Sequence, residues 1–420
     1  MEDKILRMFF DHGRWEKAID KGVGKDINRA QLIRLCTEDV RIAMAMAMKE
    51  GRYQIAPPHT AQIPKEDGTF RTVYVNEPID RVVLSIANDL LFDLMPDMVH
   101  PSCKSYQSGI GCGKIVKEVS RRMQESSECV TIGWKSDLSK YFDSVPVRFI
   151  ESAFAKVEEV HGRSALMEVL RKYYHSDFYF DGNNKLCSNY QSLKQGCAVA
   201  SWLANVLLYH IDEELSGMDG FYVRYSDDML FVGKDYKKAM SVLVERLSVM
   251  DMKLNPKKVE YLNSDRWFKF LGYSIRGKMI SLSKKWVKNF QKEIEDRTVR
   301  KKGLSVAKAV GNVNRYLYKG DGEHSWATSV LTTINVKRDI DELNKFVMDC
   351  IRAVGTGKKK IGGLGFVDTM QDGCIVRGRG KNVRANRMKG GAIEGYLSIG
   401  CMANAIRTRR AVYNTLVASL

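Results

Sequence analysis

The chain has 420 residues, of which 44% are hydrophobic and 28% charged; this balance excludes wholesale disorder and predicts more than one folded subdomain. Lysine and arginine number 67 against 50 acidic residues, so the net charge is +17, which favours a polyanionic partner. No run of 18 apolar residues occurs, which excludes a membrane protein, and the nine cysteines form no CxxC pair. We therefore expect a soluble cytoplasmic protein without a zinc module or a disulfide framework.

The first part of the chain alternates between helical and strand-like texture. The run 27–50 lacks Pro and Gly and predicts a helix that Gly51 ends. Two β-rich runs flank Asp67-Gly68 and predict a hairpin over 60–75. Helices are expected next at 79–95, 114–125 and 147–174, with a Gly-punctuated loop at 104–113.

The later part begins with a predicted strand over 129–138, and another helix is expected to start near Ala198. Residues 221–232 predict two β-type arms around a polar turn, followed by a helix at 235–250. After Ser281 the sequence is basic and helical to about residue 354.

The final 70 residues hold 13 lysines and arginines against three acidic residues, so they contribute +10 of the total charge. Their apolar residues suggest that the segment partly packs: Leu364, Phe366, Val367, Tyr396, Leu397 and Ile399.

The most informative segment is Tyr225-Ser226-Asp227-Asp228, where two adjacent carboxylates sit at a turn between apolar arms. Like charges repel and apolar strands solvate them poorly, so a bound cation is a natural compensation. A solvated Asp-Asp turn is the alternative. A second segment favours the cation, because Asp137 ends another apolar strand and Asp143 follows six residues later. A strand-end carboxylate facing the Asp-Asp turn supplies the minimum for a pair of Mg²⁺ ions.

With these motifs in view, the sequence resembles the reverse transcriptases, in motif order over roughly residues 55–350. The matching segments are IPKEDGTFRTVYVNEPIDRVV (63–83), SYQSGIGCGKIVKEV (105–119), KSDLSKYFDSV (135–145), KQGCAVASWLANVLLYHID (194–212), YSDD (225–228), LNPKKVEYL (254–262) and FKFLGYSI (268–275). They are similar to the fingers hairpin, the next fingers block, palm motifs A, B, C and D, and the primer grip.

The resemblance implies a catalytic metal centre. Asp137 and Asp227 would bridge two Mg²⁺ ions, for which Mn²⁺ is a possible substitute, and the carbonyl of Leu138 would be a backbone ligand. Asp228 would be the third member of the triad, and we interpret Asp143 as structural, as a cap for the following helix.

The resemblance also implies nucleotide contacts. Lys65 and Arg71 would fold over the triphosphate of the dNTP, and Phe142 would lie beneath the sugar and exclude a 2′-hydroxyl. At motif B, Gln195 would contact the nucleotide or template, and Gly196 would let the backbone approach the base pair. Ser201-Trp202 departs from a common Ser-Pro pattern there.

Two further roles come with the family. Lys258, rather than its neighbour Lys257, would donate a proton to pyrophosphate. The primer end would be positioned by Phe270, Leu271, Gly272 and Tyr273.

The implied fold class is α+β: a right-hand polymerase with fingers, a palm built on an antiparallel sheet, and a helical thumb. The expected divisions are an N-terminal helical extension (1–50), fingers (51–130), palm (131–275, with an insertion at about 147–190), thumb (276–354) and a basic C-terminal RNA-binding region (355–420). The thumb segments resemble those of bacterial group II intron-type enzymes.

Within the family that the sequence resembles, missing patterns favour one kind of reverse transcriptase. It lacks zinc-endonuclease, protease, RNase H and integrase patterns, and resembles the standalone, defence-associated bacterial enzymes that act against phage. The expected partners are a structured noncoding RNA template, the RNA–DNA duplex product and dNTPs. Alternatives stay open: protein-primed or template-independent DNA synthesis of abortive-infection type, a group II intron-type maturase or RNA-binding factor, and RNA synthesis.

Overall fold

The structure is a computed structural model. It describes the chain apart from Met1, 24–25, 66–67, Ser108, 125–130, 321–324, 362–365, 372–373, 380–392, Arg409 and Leu420, and gives the backbone alone for 131, 358–361, 366–371, 374–379 and 410. The chain forms two compact units, one of residues 1–108 and 132–262, the other of residues 109–131 and 263–420. The predicted fingers segment is thus divided between the two units at Ser108, and the predicted domain boundaries stay predictions.

The helices are numbered in chain order. They are α1 (Lys4–Phe9), α2 (His12–Lys21), α3 (Arg29–Leu35), α4 (Glu38–Lys49), α5 (Pro78–Leu94), α6 (Cys112–Gln124), α7 (Tyr141–Ser144), α8 (Val147–His161), α9 (Ala165–His175), α10 (Val199–Val206), α11 (Tyr209–Ser216), α12 (Tyr236–Val249), α13 (Lys284–Arg297), α14 (Val306–Asn314), α15 (Lys337–Thr356), α16 (Ile399–Thr408) and α17 (Arg410–Ala418). Two π-helical turns, Arg315–Lys319 and Ala327–Leu331, lie between α14 and α15.

The strands are numbered in the same way. They are β1 (His59–Pro64), β2 (Phe70–Val75), β3 (Thr131–Asp137), β4 (Phe178–Phe180), β5 (Leu186–Ser188), β6 (Phe221–Tyr225), β7 (Asp228–Val232), β8 (Glu260–Asn263), β9 (Phe268–Phe270), β10 (Tyr273–Arg276), β11 (Met279–Leu282), β12 (Lys358–Ile361), β13 (Phe366–Gln371) and β14 (Cys374–Arg379).

The N-terminal helices differ from the prediction of one helix over 27–50. The chain forms α3 and α4 instead, separated at Cys36 and Thr37. Asn28 and Gln31 form a capping box at the start of α3, and Thr37 in extended conformation begins α4 with two acidic residues in its first turn. Each helix start satisfies or stabilises its own free N–H groups, so two short helices replace one long one.

The predicted hairpin over 60–75 is confirmed. Strands β1 and β2 pair antiparallel, with Ile63 opposite Arg71. Gly68 has a φ of 79°, the left-handed conformation that glycine adopts readily, whereas Asp67 lies outside the described residues. Strands β4 and β5 extend this sheet on the β1 side.

The central sheet of the first unit has the strand order β6-β7-β3-β8. The two arms predicted at 221–232 are β6 and β7, which pair antiparallel around a two-residue turn. Strand β3 lies on the other side of β7, also antiparallel. The apolar side chains of β6 and β7 are buried, including Val223, Leu230 and Phe231, so the register is held by the core.

The second unit contains the antiparallel sheet β9–β10–β11 and the basic helices predicted after Ser281. Part of the C-terminal segment packs as expected, because Tyr396 and Ile399 are buried and the Leu397 carbonyl accepts a hydrogen bond from Tyr318 at 2.8 Å. Leu364 lies outside the described residues. In the described part of the chain, no helix combines the length and the apolar character needed to cross a membrane.

Candidate active site

Strand pairing brings the three aspartates predicted from the sequence to one end of the central sheet. Asp137 is the last residue of β3, Asp228 is the first residue of β7, and the two stand directly opposite each other. Asp227 precedes Asp228 in the turn, next to Ser226, whose φ is 58°. The apolar runs that end in these aspartates pair with each other, so their register places the carboxylates together.

Burial and mutual repulsion disfavour the charged forms of these carboxylates. Asp137 is buried, with 7% of its surface exposed. Burial raises the pKa of Asp227, and the charge of Asp137 raises it further, while Lys258 and Arg71 act in the opposite direction. Burial, Asp227 and Asp137 together raise the pKa of Asp228 to about 6. A cation is therefore stabilising at this position.

One such cation is the side chain of Lys258. Its ammonium nitrogen lies 2.6 Å from Oδ2 of Asp137. The preceding loop is held by the backbone, because the amide of Asn255 donates to the carbonyl of Asp137 at 2.8 Å. Lys257 donates its backbone amide to the Asn255 side chain, and the choice of Lys258 over Lys257 as the proton donor stays a prediction.

The donor atoms at this sheet end are of the type that a hard divalent cation binds. Asp137, Asp227 and Asp228 offer carboxylate oxygens. Next to them, the Asp137 carbonyl accepts from Asn255 and the Ser139 amide donates to Lys253, and neither hydrogen bond uses the carbonyl of Leu138, the predicted backbone ligand. Within the described residues, however, no group of three or more His, Cys, Asp or Glu side chains is arranged to hold a metal ion. Here the ammonium of Lys258 neutralises Asp137.

A buried ion pair beneath the turn was not anticipated from the sequence. Arg224 on β6 and Asp212 on α11 are both fully buried, and the guanidinium binds the carboxylate through two nitrogens at 2.7 and 2.5 Å. Arg224 also donates to the carbonyls of Ala204 and Ser226, at 3.0 and 3.2 Å. It thereby ties motif B helix α10 to the turn that carries Asp227. In the sequence, this ion pair is indicated only by the presence of an arginine within the otherwise apolar run of β6.

A second unanticipated contact comes from the predicted fingers block. The amide of Lys104 donates to the carbonyl of Arg224 at 2.8 Å, so this loop runs along the outer edge of β6. Farther along the loop, the hydroxyl of Tyr106 lies 3.4 Å from that of Ser226. The aspartate turn is thus supported from the loop side as well as from below.

The hairpin cations lie on the active-site side of the first unit. Burial raises the pKa of Asp143, whereas the charges of Lys140, Lys65 and Arg71 lower it. Arg71 also lowers the pKa of Asp227. The predicted capping role of Asp143 is wrong, because Asp143 lies inside α7 and the next helix begins after Pro146 without a side-chain cap. Instead, the positive charges of Lys140, Lys65 and Arg71 act on the Asp143 carboxylate.

Phe142 lies in α7, directly after the strand that ends in Asp137. It is half-buried and packs edge-to-face on the buried Tyr141, with the ring centroids 5.6 Å apart. Its carbonyl accepts a hydrogen bond from Leu193, in the loop that leads to motif B. Tyr141 therefore contacts its ring, and Leu193 fixes its backbone.

Gln195 and Gly196 contact the hairpin through their backbones. The amide of Tyr74 donates to the carbonyl of Gln195 at 2.7 Å. Gly196 has a φ of 111°, and a Cβ added there would lie 2.7 Å from the Tyr74 carbonyl oxygen. The structure therefore gives Gly196 a close approach to β2, in addition to the predicted approach to a base pair.

The predicted primer grip lies in the second unit. Phe270 and Tyr273 are buried, while Leu271 and Gly272, with φ values of 48° and 83°, form the turn between β9 and β10. The indole of Trp286 packs against Gly272, where an added Cβ would lie 2.5 Å from its nitrogen. This turn is rigidly supported, and its role at a primer stays a prediction.

A protein-family model matches the central part of the chain. The family model described as "Reverse transcriptase (RNA-dependent DNA polymerase)" matches residues 63–275, about half of the chain. No curated protein matches the chain.

Similar solved structures include telomerase from Candida albicans in complex with a fragment of telomeric RNA, and apo telomerase from Candida tropicalis. Each has 12% identity and a TM-score of 0.42; the first alignment covers 73% of this chain and 60% of that one, the second 72% and 59%. The matched family segment contains the three aspartates, Lys258, both hairpin cations and the primer-grip turn. The chain therefore belongs to the reverse transcriptase family.

Proposed function

We propose that the protein is an RNA-directed DNA polymerase of a bacterial antiphage system, which copies an associated structured noncoding RNA into cDNA. The observation that carries the polymerase assignment is the pairing of Asp137 with Asp228 across β3 and β7, with Asp227 beside them, inside the family segment. The antiphage role rests on the sequence resemblance alone.

Two Mg²⁺ ions, replaceable by Mn²⁺, would be held by Asp137, the Leu138 carbonyl, Asp227 and Asp228. When bound, such ions activate the primer 3′-hydroxyl and stabilise the leaving pyrophosphate. Lys258 would supply a proton at the pyrophosphate side, and Arg71, whose charge already acts on Asp227, would bind the triphosphate.

The half-buried ring of Phe142 supports a preference for deoxynucleotides. Its ring packs against Tyr141, and the hydrogen bond from Leu193 fixes the backbone that carries it. A Phe142→Ala enzyme should incorporate ribonucleotides more readily, and unchanged discrimination would refute this role.

Charge supports a nucleic-acid substrate. The net charge is +17, and basic helices such as α13 follow the primer-grip turn. Such surfaces bind phosphate backbones, with an affinity that falls as salt rises. The basic segment 355–420 is proposed to hold the noncoding RNA.

The polymerase assignment is tested by extending a primer on an RNA template with purified wild-type protein, Asp137→Asn and Asp227→Asn. Both variants should lose at least about 100-fold in rate. Asp219→Asn is the matched control, because Asp219 is an exposed carboxylate of the same unit paired with Lys234. Equal activity of Asp227→Asn and Asp219→Asn would reject the proposal.

The biological role is tested by plating phage on bacteria that carry the gene with its flanking DNA. Protection that Asp227→Asn abolishes supports the proposal, whereas protection that survives Asp227→Asn favours a maturase-like or RNA-binding scaffold. Sequencing the bound RNA and any cDNA identifies the template. DNA covalently attached to the protein would favour protein-primed synthesis instead.

A further inference from the structure

A cavity of about 580 Å³ lies among the helices of the second unit. Its walls come from α13, α14 and the two π-helical turns. The volume is within the range of roughly 300–1,000 Å³ that small-molecule sites occupy. None of the residues proposed above for catalysis, nucleotide contact or primer positioning is among its described lining residues.

The charged side chains described in the cavity wall are all cationic: Arg297, Lys301 and Arg315. Arg297 forms an ion pair with Glu293, one turn earlier on α13. Lys301 and Arg315 are exposed, and the Arg315 guanidinium is oriented by the Asn312 side chain at 2.9 Å. Asp321 and Glu323 follow in sequence but lie outside the described residues. The described wall favours an anion.

The cavity is also lined by flat rings. The guanidinium carbon of Arg297 lies 4.2 Å from the ring centroid of Tyr316. Burial and the charge of Glu293 raise the pKa of Tyr316 to about 12, so the ring is neutral at physiological pH. Trp286 and Trp326 line the same space, and the buried indole N–H of Trp326 has no hydrogen-bond partner among the described residues. A buried donor of this kind favours a ligand that brings an acceptor.

The backbone around the cavity is unusual as well. Arg315 and Tyr316 belong to one π-helical turn, and Ser329 and Val330 belong to the other. π-helical turns are rare in proteins, and those that occur often lie at functional sites. Here both of them contribute to the wall of one cavity.

We propose that this cavity binds a 5′-nucleotide. The phosphate would be held by Lys301 and Arg315, and the base would lie against the Tyr316–Arg297 stack and the indole rings. Arginine binds phosphate through two parallel hydrogen bonds, and unstacked bases pack on aromatic rings and guanidinium planes. The nucleotide comes either from solution or from an unpaired position of a bound strand. This site is separate from the polymerase proposal and does not depend on it.

The test uses the full chain carrying Asp227→Asn, in EDTA, so that the polymerase site neither turns over nor binds a metal–nucleotide complex. Isothermal titration is carried out with 5′-AMP, adenosine and an eight-residue oligoadenylate RNA. Arg315→Ala should weaken binding about tenfold or more through loss of a charge-assisted contact. Arg338→Ala removes the same charge from an exposed position on α15 and should change affinity less than about twofold.

The probes separate the two sources of the nucleotide. Binding of 5′-AMP that Arg315→Ala weakens assigns the site to a free nucleotide. Binding of the oligoadenylate alone, with the same loss, assigns it to a residue of a bound strand. Tyr316→Phe should retain affinity, whereas Tyr316→Leu should lose it because the ring is removed. The proposal is overturned if neither 5′-AMP nor the oligoadenylate binds, or if Arg315→Ala and Arg338→Ala behave alike with both probes. It is also overturned if adenosine binds measurably and as tightly as 5′-AMP.

Discussion

The ammonium of Lys258 lies 2.6 Å from a carboxylate oxygen of Asp137, a residue 121 positions earlier in the chain. The side-chain atoms of Lys258 are 56% exposed, whereas those of Asp137 are 10% exposed. The Lys258 side chain is thus open to solvent on one side and paired with Asp137 at the end of β3 on the other. This geometry supports the proposed roles of Lys258 as a proton donor and of Asp137 as a metal ligand.

We predict that Lys258→Ala slows single-nucleotide incorporation by about 100-fold, since a positioned general acid contributes roughly 10²–10⁴. The rate is measured on an RNA template at saturating dNTP and divalent metal. Lys258→Arg should be intermediate, because it keeps the charge but is a poor proton donor. Lys257→Ala is the matched control and should stay within about twofold. Equal effects at positions 257 and 258 would show that only local charge matters.

The raised pKa of Asp228 leads to a prediction about stability. The native carboxyl takes up a proton near pH 6, whereas an unfolded aspartate does so near pH 3.9. Between these values the native state binds more protons, so stability falls as pH rises from about 4 to about 6, and the loss is complete above that. Asp228→Asn should therefore stabilise the metal-free protein at pH 7.5, by up to about 2 kcal/mol, and have little effect at pH 4.

The measurement is the melting temperature in EDTA across this pH range. Asp181→Asn serves as the control of opposite sign, because hydrogen bonds from the amides of Lys185 and Asn183 lower the pKa of Asp181. That substitution should not stabilise the protein at pH 7.5. If the melting temperature of the Asp228→Asn protein at pH 7.5 is lower than that of the wild type, the raised pKa of Asp228 is contradicted.

The sequence could predict the aspartate cluster because its parts follow local rules. Apolar strands that end in Asp137 and begin at Asp228 must pair to bury their faces, and a one-residue shift would expose them. The break between α3 and α4 can also be predicted from the sequence, because Thr37 followed by Glu38 and Asp39 is typical of a helix start. A helix can end without Pro or Gly, as α3 does at Cys36.

The supporting contacts could not be predicted, because they depend on residues distant in sequence. Arg224 reads like an exposed strand residue until the fold places Asp212 beneath it. Gly196 is a plausible flexible position in any loop, and only the fold shows that the Tyr74 backbone occupies the space of its missing side chain. Such partners are set by tertiary packing rather than by local pattern.

We predict that Arg224→Met destabilises the protein by about 3–5 kcal/mol, because it leaves the carboxylate of Asp212 buried without its charge partner. The double variant Arg224→Met/Asp212→Leu should recover part of the loss. Stability is measured by urea unfolding.

A surface ion pair that uses another acidic residue of α11, the helix of Asp212, provides the control. Arg246 binds Glu214 of α11 at the surface, at 2.7 Å, and Arg246→Ala should cost less than about 1 kcal/mol. If Arg224→Met costs no more than Arg246→Ala, the buried pair does not hold the aspartate turn in place.

Gly196→Ala is predicted to impair both stability and nucleotide use. Its φ of 111° strains any residue with a side chain, and the new Cβ would lie 2.7 Å from the Tyr74 carbonyl oxygen. Relief requires β2 to move away from the motif B loop, and Arg71 lies on that strand three residues before Tyr74. We expect a loss of about 2 kcal/mol in stability and a KM for dNTP raised about tenfold, with a smaller change in kcat. Gly182→Ala, at a glycine with open space around it, should change neither quantity. A Gly196→Ala enzyme with a normal KM would mean that the hairpin cations do not depend on this contact, and that the triphosphate is bound by other groups.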